Sequence, residues 1–349
     1  MAKNLILTPL SWIYKMAVTF RHRLFDWGVL KSERFDIPII CVGNITVGGT
    51  GKTPVTEMLV EHLRHNYRIA LLSRGYGRRT SGYREAEVKT PFREVGDEPK
   101  QIKLKFPEIT VAVCEKRSTG IRNIRSRHPE VNLIIMDDGF QHRYVEPKIN
   151  VVLMDYSRPI QNDFMLPKGS LRDLPSALHR AHYVLVTKCP PTMNALDRRI
   201  LIKVLNLYPY QRLYFTSMVT GAVVPLFPDA APRKALRGGE RVIAMAGVGN
   251  PAQFVENLSA KYEVVDRLIF RDHYPYRVRD MKMLETKLRN APEGTLVVTT
   301  EKDAVKLTNR RSIPDRIVRS LYFEPIHVSF VDGDKYDFIK NIDKDVRKD

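Results

Sequence analysis

The stretch Val42-Gly43-Asn44-Ile45-Thr46-Val47-Gly48-Gly49-Thr50-Gly51-Lys52-Thr53 constrains this chain more than any other. It reads as the end of a β-strand, a glycine-rich loop and a helix that opens on Lys-Thr. In that order, Gly48, Gly49, Thr50 and Gly51 let successive backbone N–H groups point at one anion, and the helix N-terminus adds partial positive charge. Lys52 then reaches the outer phosphates and the Thr53 hydroxyl can ligate magnesium. The chain is therefore expected to bind a nucleoside triphosphate. One residue departs from the strict G-x-x-x-x-G-K-[ST] spacing, because Thr46 stands where the pattern asks for glycine. The preceding run, Ile37-Pro38-Ile39-Ile40-Cys41-Val42, is apolar and led by a proline, which suits a buried parallel strand feeding the loop.

Downstream of the loop, apolar stretches at 69–72, 111–113, 133–136, 151–154 and 184–186 alternate with helical ones. Such alternation implies a parallel sheet covered by helices. From 211 to 226 the sequence is extended and β-rich, and Pro225, Pro228 and Pro232 punctuate its end, as in a connector. A second set of strand candidates at 242–245, 264–265 and 296–298, with helices near 251–260 and 278–290, describes a smaller α/β domain. The strand-like segment 321–330 is expected to pair with the connector. With 349 residues the chain is long enough for two cores. The expected organisation is an amphipathic helix over 1–28, a phosphate-loop domain over 29–210 and a β connector over 211–232. The smaller α/β domain follows over 233–320, then a return strand and C-terminal segment over 321–349.

Lys and Arg number 57 against 39 Asp and Glu, a net charge of +18. Such a surface attracts nucleic acid, an acidic bilayer or a phosphorylated substrate, and charge alone does not choose among them. Cys41, Cys114 and Cys189 are far apart, form no CxxC pair and lie in or beside apolar runs, which suits a reducing cytoplasm. No apolar run reaches the roughly 18 residues of a spanning helix. Near the N-terminus, Thr8 is placed to cap a helix with Pro9 in its first turn. Leu10, Ile13, Ala17, Phe20, Leu24 and Trp27 then recur on one face until Gly28. Lys15, Arg21 and Arg23 lie off that face, and Trp12, Tyr14 and Trp27 add amphipathic rings. Two readings stand side by side, a helix lying among acidic headgroups and a helix packed on its own domain. A cleaved signal peptide is disfavoured, since Pro9 interrupts the apolar run and no small-residue cleavage site follows.

Asp137 and Asp138 follow an apolar strand, which places both carboxylates at its C-terminal edge, where open α/β sheets bind ligands. They suit a magnesium ion held directly or through water, or else two solvated acids in a turn. Asp97, in Val95-Gly96-Asp97-Glu98-Pro99, and His273, in Phe270-Arg271-Asp272-His273-Tyr274, are each weak signals alone. They form an acid–base pair if the two domains close on each other. Ser73-Arg74-Gly75-Tyr76-Gly77-Arg78-Arg79 and Leu166-Pro167-Lys168-Gly169-Ser170-Leu171-Arg172-Asp173 suit phosphate clamps, or solvated basic loops. Thr299-Thr300-Glu301-Lys302-Asp303 suits either contact with a nucleotide base or a helix cap.

Taken in order, GNITVGGTGKTP, SRGYGR, VGDEP, DDGFQH, LPKGSLRD, RDHY and TEKDAVK resemble the tetraacyldisaccharide 4'-kinases of lipid A synthesis, over about residues 43–306. The missing glycine at Thr46 is typical of that family's loop. The resemblance implies two α/β domains, one with a phosphate-loop kinase sheet, joined by a two-stranded β linker. It implies transfer of the ATP γ-phosphate to the 4'-hydroxyl of an acylated glucosamine disaccharide 1-phosphate, forming lipid IVA at the cytoplasmic face of the inner membrane. By motif position, Lys52 and Thr53 hold the triphosphate and magnesium, and Asp137 and Asp138 support the metal. Asp97 is the general base, oriented by His273, and Arg74, Arg172 and Asp173 contact substrate. Positioning and charge neutralisation supply most of the acceleration in phosphoryl transfer, which suits this set. Two other readings remain: a phosphate-loop kinase with a soluble acceptor, and a nucleotide-dependent nucleic-acid-binding protein. No recognised nucleic-acid motif and no aromatic interleaving of the basic segments support the latter, so no nucleic-acid partner is expected.

Overall fold

Runs that are buried on both sides of a parallel sheet carry apolar side chains at successive positions, and this chain's central runs are of that kind. The computed structural model describes residues 2–348. In chain order its strands are β1 Ile39–Asn44, β2 Ile69–Ser73, β3 Arg84–Ala86, β4 Thr110–Val113, β5 Leu133–Asp137, β6 Ile149–Asp155 and β7 Tyr183–Thr187, followed by β8 Arg212–Thr220, β9 Val224–Pro225, β10 Arg241–Ala246, β11 Glu263–Ile269, β12 Leu296–Thr300, β13 Leu321–Glu324 and β14 Ile326–Phe330. Among the described residues, nine form one sheet, ordered β14-β8-β7-β6-β1-β5-β2-β4-β3, and five form another, ordered β11-β10-β12-β13-β9. β1, β2 and β4 to β8 are mutually parallel, so the ends of β1, β2, β5, β6 and β7 gather at one edge. That edge is where a ligand can approach backbone groups that no further strand covers.

One face of the large sheet packs against the helices Lys52–Leu63, Asp97–Lys105 and Lys335–Arg347 through Val55, Leu59, Ile102, Phe338 and Ile342. The opposite face packs against Arg117–Arg127 through Ile121 and Ile124, and against the N-terminal helix through Tyr14 and Val18. The segment 321–330, expected as one strand, is two, because Pro325 has neither the N–H nor the φ freedom to continue the ladder. β13 lies in the small sheet and β14 in the large one, paired antiparallel with β8. β8 also lies parallel on β7, so the pair is the edge of the large sheet. The chain thus crosses between sheets twice, side by side, where the Gly221 N–H donates to the Pro325 carbonyl at 2.9 Å.

At the N-terminus the helix is longer than its sequence signals suggest. It runs Ala2–Asp26 with Pro9 inside it, so neither Thr8 nor Pro9 marks its start. Proline there forfeits one intrahelical bond, which a helix anchored by tertiary contacts beyond it tolerates. The anchors lie on the Ser11, Tyr14, His22 side. Ser11 Oγ donates to the Met165 carbonyl at 2.7 Å, Tyr14 Oη to the Arg172 carbonyl at 3.1 Å, and His22 Nε2 meets Asp173 Oδ1 at 2.6 Å. Leu10, Ile13, Ala17, Phe20 and Trp27 of the apolar stripe are exposed, together with Trp12 and Met16, while Leu24 is half-buried. The helix therefore packs through a mixed face and leaves its apolar face open. No helix among the described residues is long and apolar enough to cross a membrane.

Candidate active site

The loop after β1 bends through Gly48, with φ 100°, and Gly51, with φ 84°, and Lys52 opens the helix that follows. Asn44 Nδ2 donates to Thr50 Oγ1 at 2.9 Å, and Thr187 Oγ1, at the end of β7, donates to the Thr50 carbonyl at 2.8 Å. Both contacts hold the loop in shape from beneath. Thr46 lies outside the left-handed region and forms an antiparallel bridge with Leu171. Val47 N–H donates to the Ser170 carbonyl at 2.7 Å, and Arg172 N–H to the Ile45 carbonyl at 2.9 Å. Residues 170–172 therefore run beside the loop through an isolated bridge, and at Thr46 a residue paired in that bridge replaces the usual glycine. Lys52 Nζ lies 3.3 Å from Asn44 Oδ1 and 3.6 Å from Asp138 Oδ1.

Asp137 is the last residue of β5, and Asp138, at φ 52°, turns the chain out of the sheet. Asp and Asn tolerate that left-handed backbone better than other side chains. Arg172 grips both oxygens of Asp138, one at 3.2 Å, and also bonds Asn44 Oδ1. The Lys52 and Arg172 charges outweigh burial and hold the Asp138 carboxyl at about 2. Burial and the neighbouring Asp138 charge push Asp137 the other way, to about 7, and Glu98 adds to this. Asp137 Oδ1 is buried with no hydrogen-bond partner among the described residues. Described residues show no cluster of three or more His, Cys, Asp or Glu side chains set to hold a metal.

Asp97 opens the helix Asp97–Lys105 just after Gly96, whose φ is 99°. A side chain at Gly96 would meet the Tyr76 carbonyl oxygen at 3.0 Å, so the turn before Asp97 packs directly on the loop that leaves β2. His273, on the loop after β11 and itself at φ 55°, brings Nδ1 to 3.1 Å from Asp97 Oδ2. Lys302 Nζ lies 3.1 Å from the ring's Nε2. An ammonium only donates, so a neutral ring with its proton on Nδ1, given to Asp97, satisfies both contacts. The Asp97 hydrogen bond raises the His273 pKa against the effect of burial. The Tyr76 ring also contacts the imidazole, tilted at 59° with centroids 5.4 Å apart. Lys302 also pairs with Glu98 at 3.4 Å and Asp272 at 3.5 Å. Contacts of this kind join the Asp97–Lys105 helix to the carboxyl edge of the small sheet, and Lys105 adds to them by reaching Glu57 at 2.6 Å and Glu301 at 3.2 Å.

The structure thus brings Lys52, Asp138 and Arg172 together, and separately Asp97 and His273. Asp173 faces away from solvent: His22 and Arg180, the latter at 3.2 Å, take up its carboxylate beneath the N-terminal helix. Arg74 is exposed at the end of β2 with no hydrogen-bond partner among the described residues, and its charge reaches Arg117 and His142. Thr300 caps the helix Glu301–Ala304 by accepting from Asp303 N–H, and the segment behind it faces Asp97 and His273. Asn44, Glu98 and Lys302 lie inside motifs that the sequence marks but carry no individual role there. Each sits one step from a noted residue, but no spacing rule marks which neighbour turns inward.

A family model for tetraacyldisaccharide-1-P 4'-kinase (LpxK) matches residues 3–347. The tetraacyldisaccharide 4'-kinase of Phocaeicola vulgatus is 43% identical, over 99% of this chain and 96% of its own. That of Bacteroides thetaiotaomicron is 40% identical, over 96% of this chain and 91% of its own. Among solved structures, an "apo" form of LpxK from Aquifex aeolicus in complex with ATP superposes with a TM-score of 0.74 at 25% identity, covering 97% of this chain and 98% of that one. With matches over nearly its whole length in sequence and in fold, the chain belongs to the tetraacyldisaccharide-1-P 4'-kinase family.

Proposed function

We propose that this chain transfers the γ-phosphoryl group of ATP to the 4'-hydroxyl of a tetraacyl glucosamine disaccharide 1-phosphate, forming lipid IVA as a peripheral enzyme on the cytoplasmic face of the bacterial inner membrane. The observation that carries the reading is the Asp97–His273 hydrogen bond, which unites a candidate base and its orienting ring from the two sheets. Asp97 accepts the hydroxyl proton as the acceptor oxygen attacks phosphorus, and His273 holds the carboxylate toward that oxygen. Gly48 to Gly51 cradle the triphosphate with backbone N–H groups while Lys52 meets its outer oxygens. The residues present fit magnesium: Thr53, Asp137 and Asp138 offer the hard oxygen donors it favours, and the unpartnered Asp137 Oδ1 is free to serve. Bound there, magnesium would neutralise charge on the β- and γ-phosphates. Arg172, between Asp138 and the loop, and the exposed Arg74 are the cations left for phosphate groups of the two substrates.

On this reading the two sheets are the cores of two domains, hinged where the chain crosses at 221 and 325. The open apolar stripe of the N-terminal helix supports a membrane surface as partner, because that helix touches site segments through Tyr14 on Arg172 and Arg21 on Gln141. A lipid acceptor held in that surface lies beside the phosphate loop. The test is transfer of radiolabelled γ-phosphate to the detergent-dispersed disaccharide 1-phosphate by wild type and Lys52→Ala. Transfer that disappears in the variant is expected, whereas no transfer by folded, ATP-binding wild type sinks the reading.

A further inference from the structure

Lys306, in the segment behind Thr300, has a side chain with no solvent exposure at all. An ammonium without water must be paired, because an unpaired buried charge is among the costliest things a fold can contain. Two carboxylates share it: Asp303 Oδ1 at 2.9 Å and Asp97 Oδ2 at 3.5 Å. Asp303 is equally buried and is anchored by other donors, its Oδ2 accepting from Gly247 N–H at 2.7 Å and from Thr300 Oγ1 at 2.9 Å. The Tyr276 ring lies 5.8 Å from the Lys306 ammonium. Asp97 is otherwise faced by His273 and, across that ring, by Lys302 with its partners Glu98 and Asp272. Asp303 and Lys306 belong to the small-sheet side of the molecule, whereas Asp97 belongs to a helix on the large sheet. The cation that adjoins Asp97 is therefore delivered from the other sheet.

We propose that Lys306 is a positioning residue of the phosphoryl-transfer site: it holds the Asp97 carboxylate charged and in place, and Asp303 sets how much of its charge Asp97 feels. The assignment rests on the reading that Asp97 is the base. Burial alone pushes the Asp97 carboxyl up, and the His273 hydrogen bond, Lys306 and Lys302 bring it below its ordinary value. A base whose charge is kept by a residue of the second sheet is fully competent only while the two sheets are together.

The experiment is the pH profile of kcat for the full chain, with magnesium-ATP and detergent-dispersed tetraacyldisaccharide 1-phosphate. Lys306→Met removes the charge and keeps most of the stem. The acid limb then moves to higher pH by about one unit or more, whichever member of the Asp97–His273 pair carries the proton. Asp303→Asn keeps an acceptor for Gly247 and removes a negative charge near Asp97, so its limb moves to lower pH. Opposite displacements are the expected result. A purely structural role lowers kcat in both variants with the limbs in place, and that outcome overturns the proposal. If Lys306→Met does not fold, the Asp303→Asn profile decides alone, and a limb that stays or moves up overturns it. Asp97→Asn in the same assay separates the two failures. Full turnover there removes the base reading itself, whereas lost turnover with unmoved limbs removes only the role of Lys306.

Discussion

Replacing Ile13, Met16 and Phe20 together by serine tests whether the open face of the N-terminal helix is a membrane contact. These side chains are 58%, 61% and 60% exposed, so they contribute little to the fold and most of their area is free to enter a bilayer. Burying a side chain of this size fully is worth about 1.5–3 kcal/mol, and scaling by the exposed fraction leaves about 1–2 kcal/mol each. The triple variant then loses about 3–5 kcal/mol of partition energy, a drop of about a hundredfold or more in vesicle affinity. Sedimentation with vesicles rich in anionic lipid measures this directly, with thermal melts as the control for folding. Lys15 and Arg23, also exposed, add a salt-dependent share that the triple variant keeps, so its remaining binding weakens further as salt rises. Unchanged partition by a variant that melts like wild type would refute the reasoning and leave this helix as a packing element only.

Asp173→Asn loosens the same helix from below. Burial opposes its ionisation, but the His22 hydrogen bond and the His22 and Arg180 charges hold the Asp173 carboxyl below its ordinary range. A depressed carboxyl stabilises the fold fully above the unfolded value of about 3.9 and loses that contribution as pH falls through the folded one. Wild type should therefore exceed the variant by about 2–4 kcal/mol in urea unfolding at pH 7, with the gap narrowing below pH 4; a gap that widens in acid contradicts the pairing. Gly51→Ala places a side chain at φ 84° with its Cβ 2.2 Å from Met218 Cε, so nucleotide affinity should fall at least tenfold and stability by about 1–3 kcal/mol. Adding Met218→Ala relieves the clash and not the backbone strain, so complete recovery in the double variant would show that φ is immaterial there.

Much of this protein is legible without its structure. The phosphate loop, the alternation of apolar runs with helices and the return of 321–330 onto the connector all follow from local rules, since period, glycine placement and strand burial leave marks in neighbouring residues. The motifs also carried the family. Other features leave no such mark. Nothing near Pro325 says that the strand before it joins one sheet and the strand after it the other, because that depends on which edges are free. The helix through Pro9 is set by anchors more than a hundred residues away, at Met165, Arg172 and Asp173. Asp173 and Asp138 are both loop acids in the sequence, yet one is sealed beneath a helix and the other is gripped by Lys52 and Arg172 at the site. Burial and the sign of the nearest charge made that difference. The sequence by itself determined a glycine-rich loop between a buried strand and a helix opening on Lys52, and two α/β sheets. Only the tertiary structure decided that Lys302, Lys306 and His273 from one sheet surround Asp97 from the other, because electrostatic partnership depends on distance through space rather than on distance along the chain.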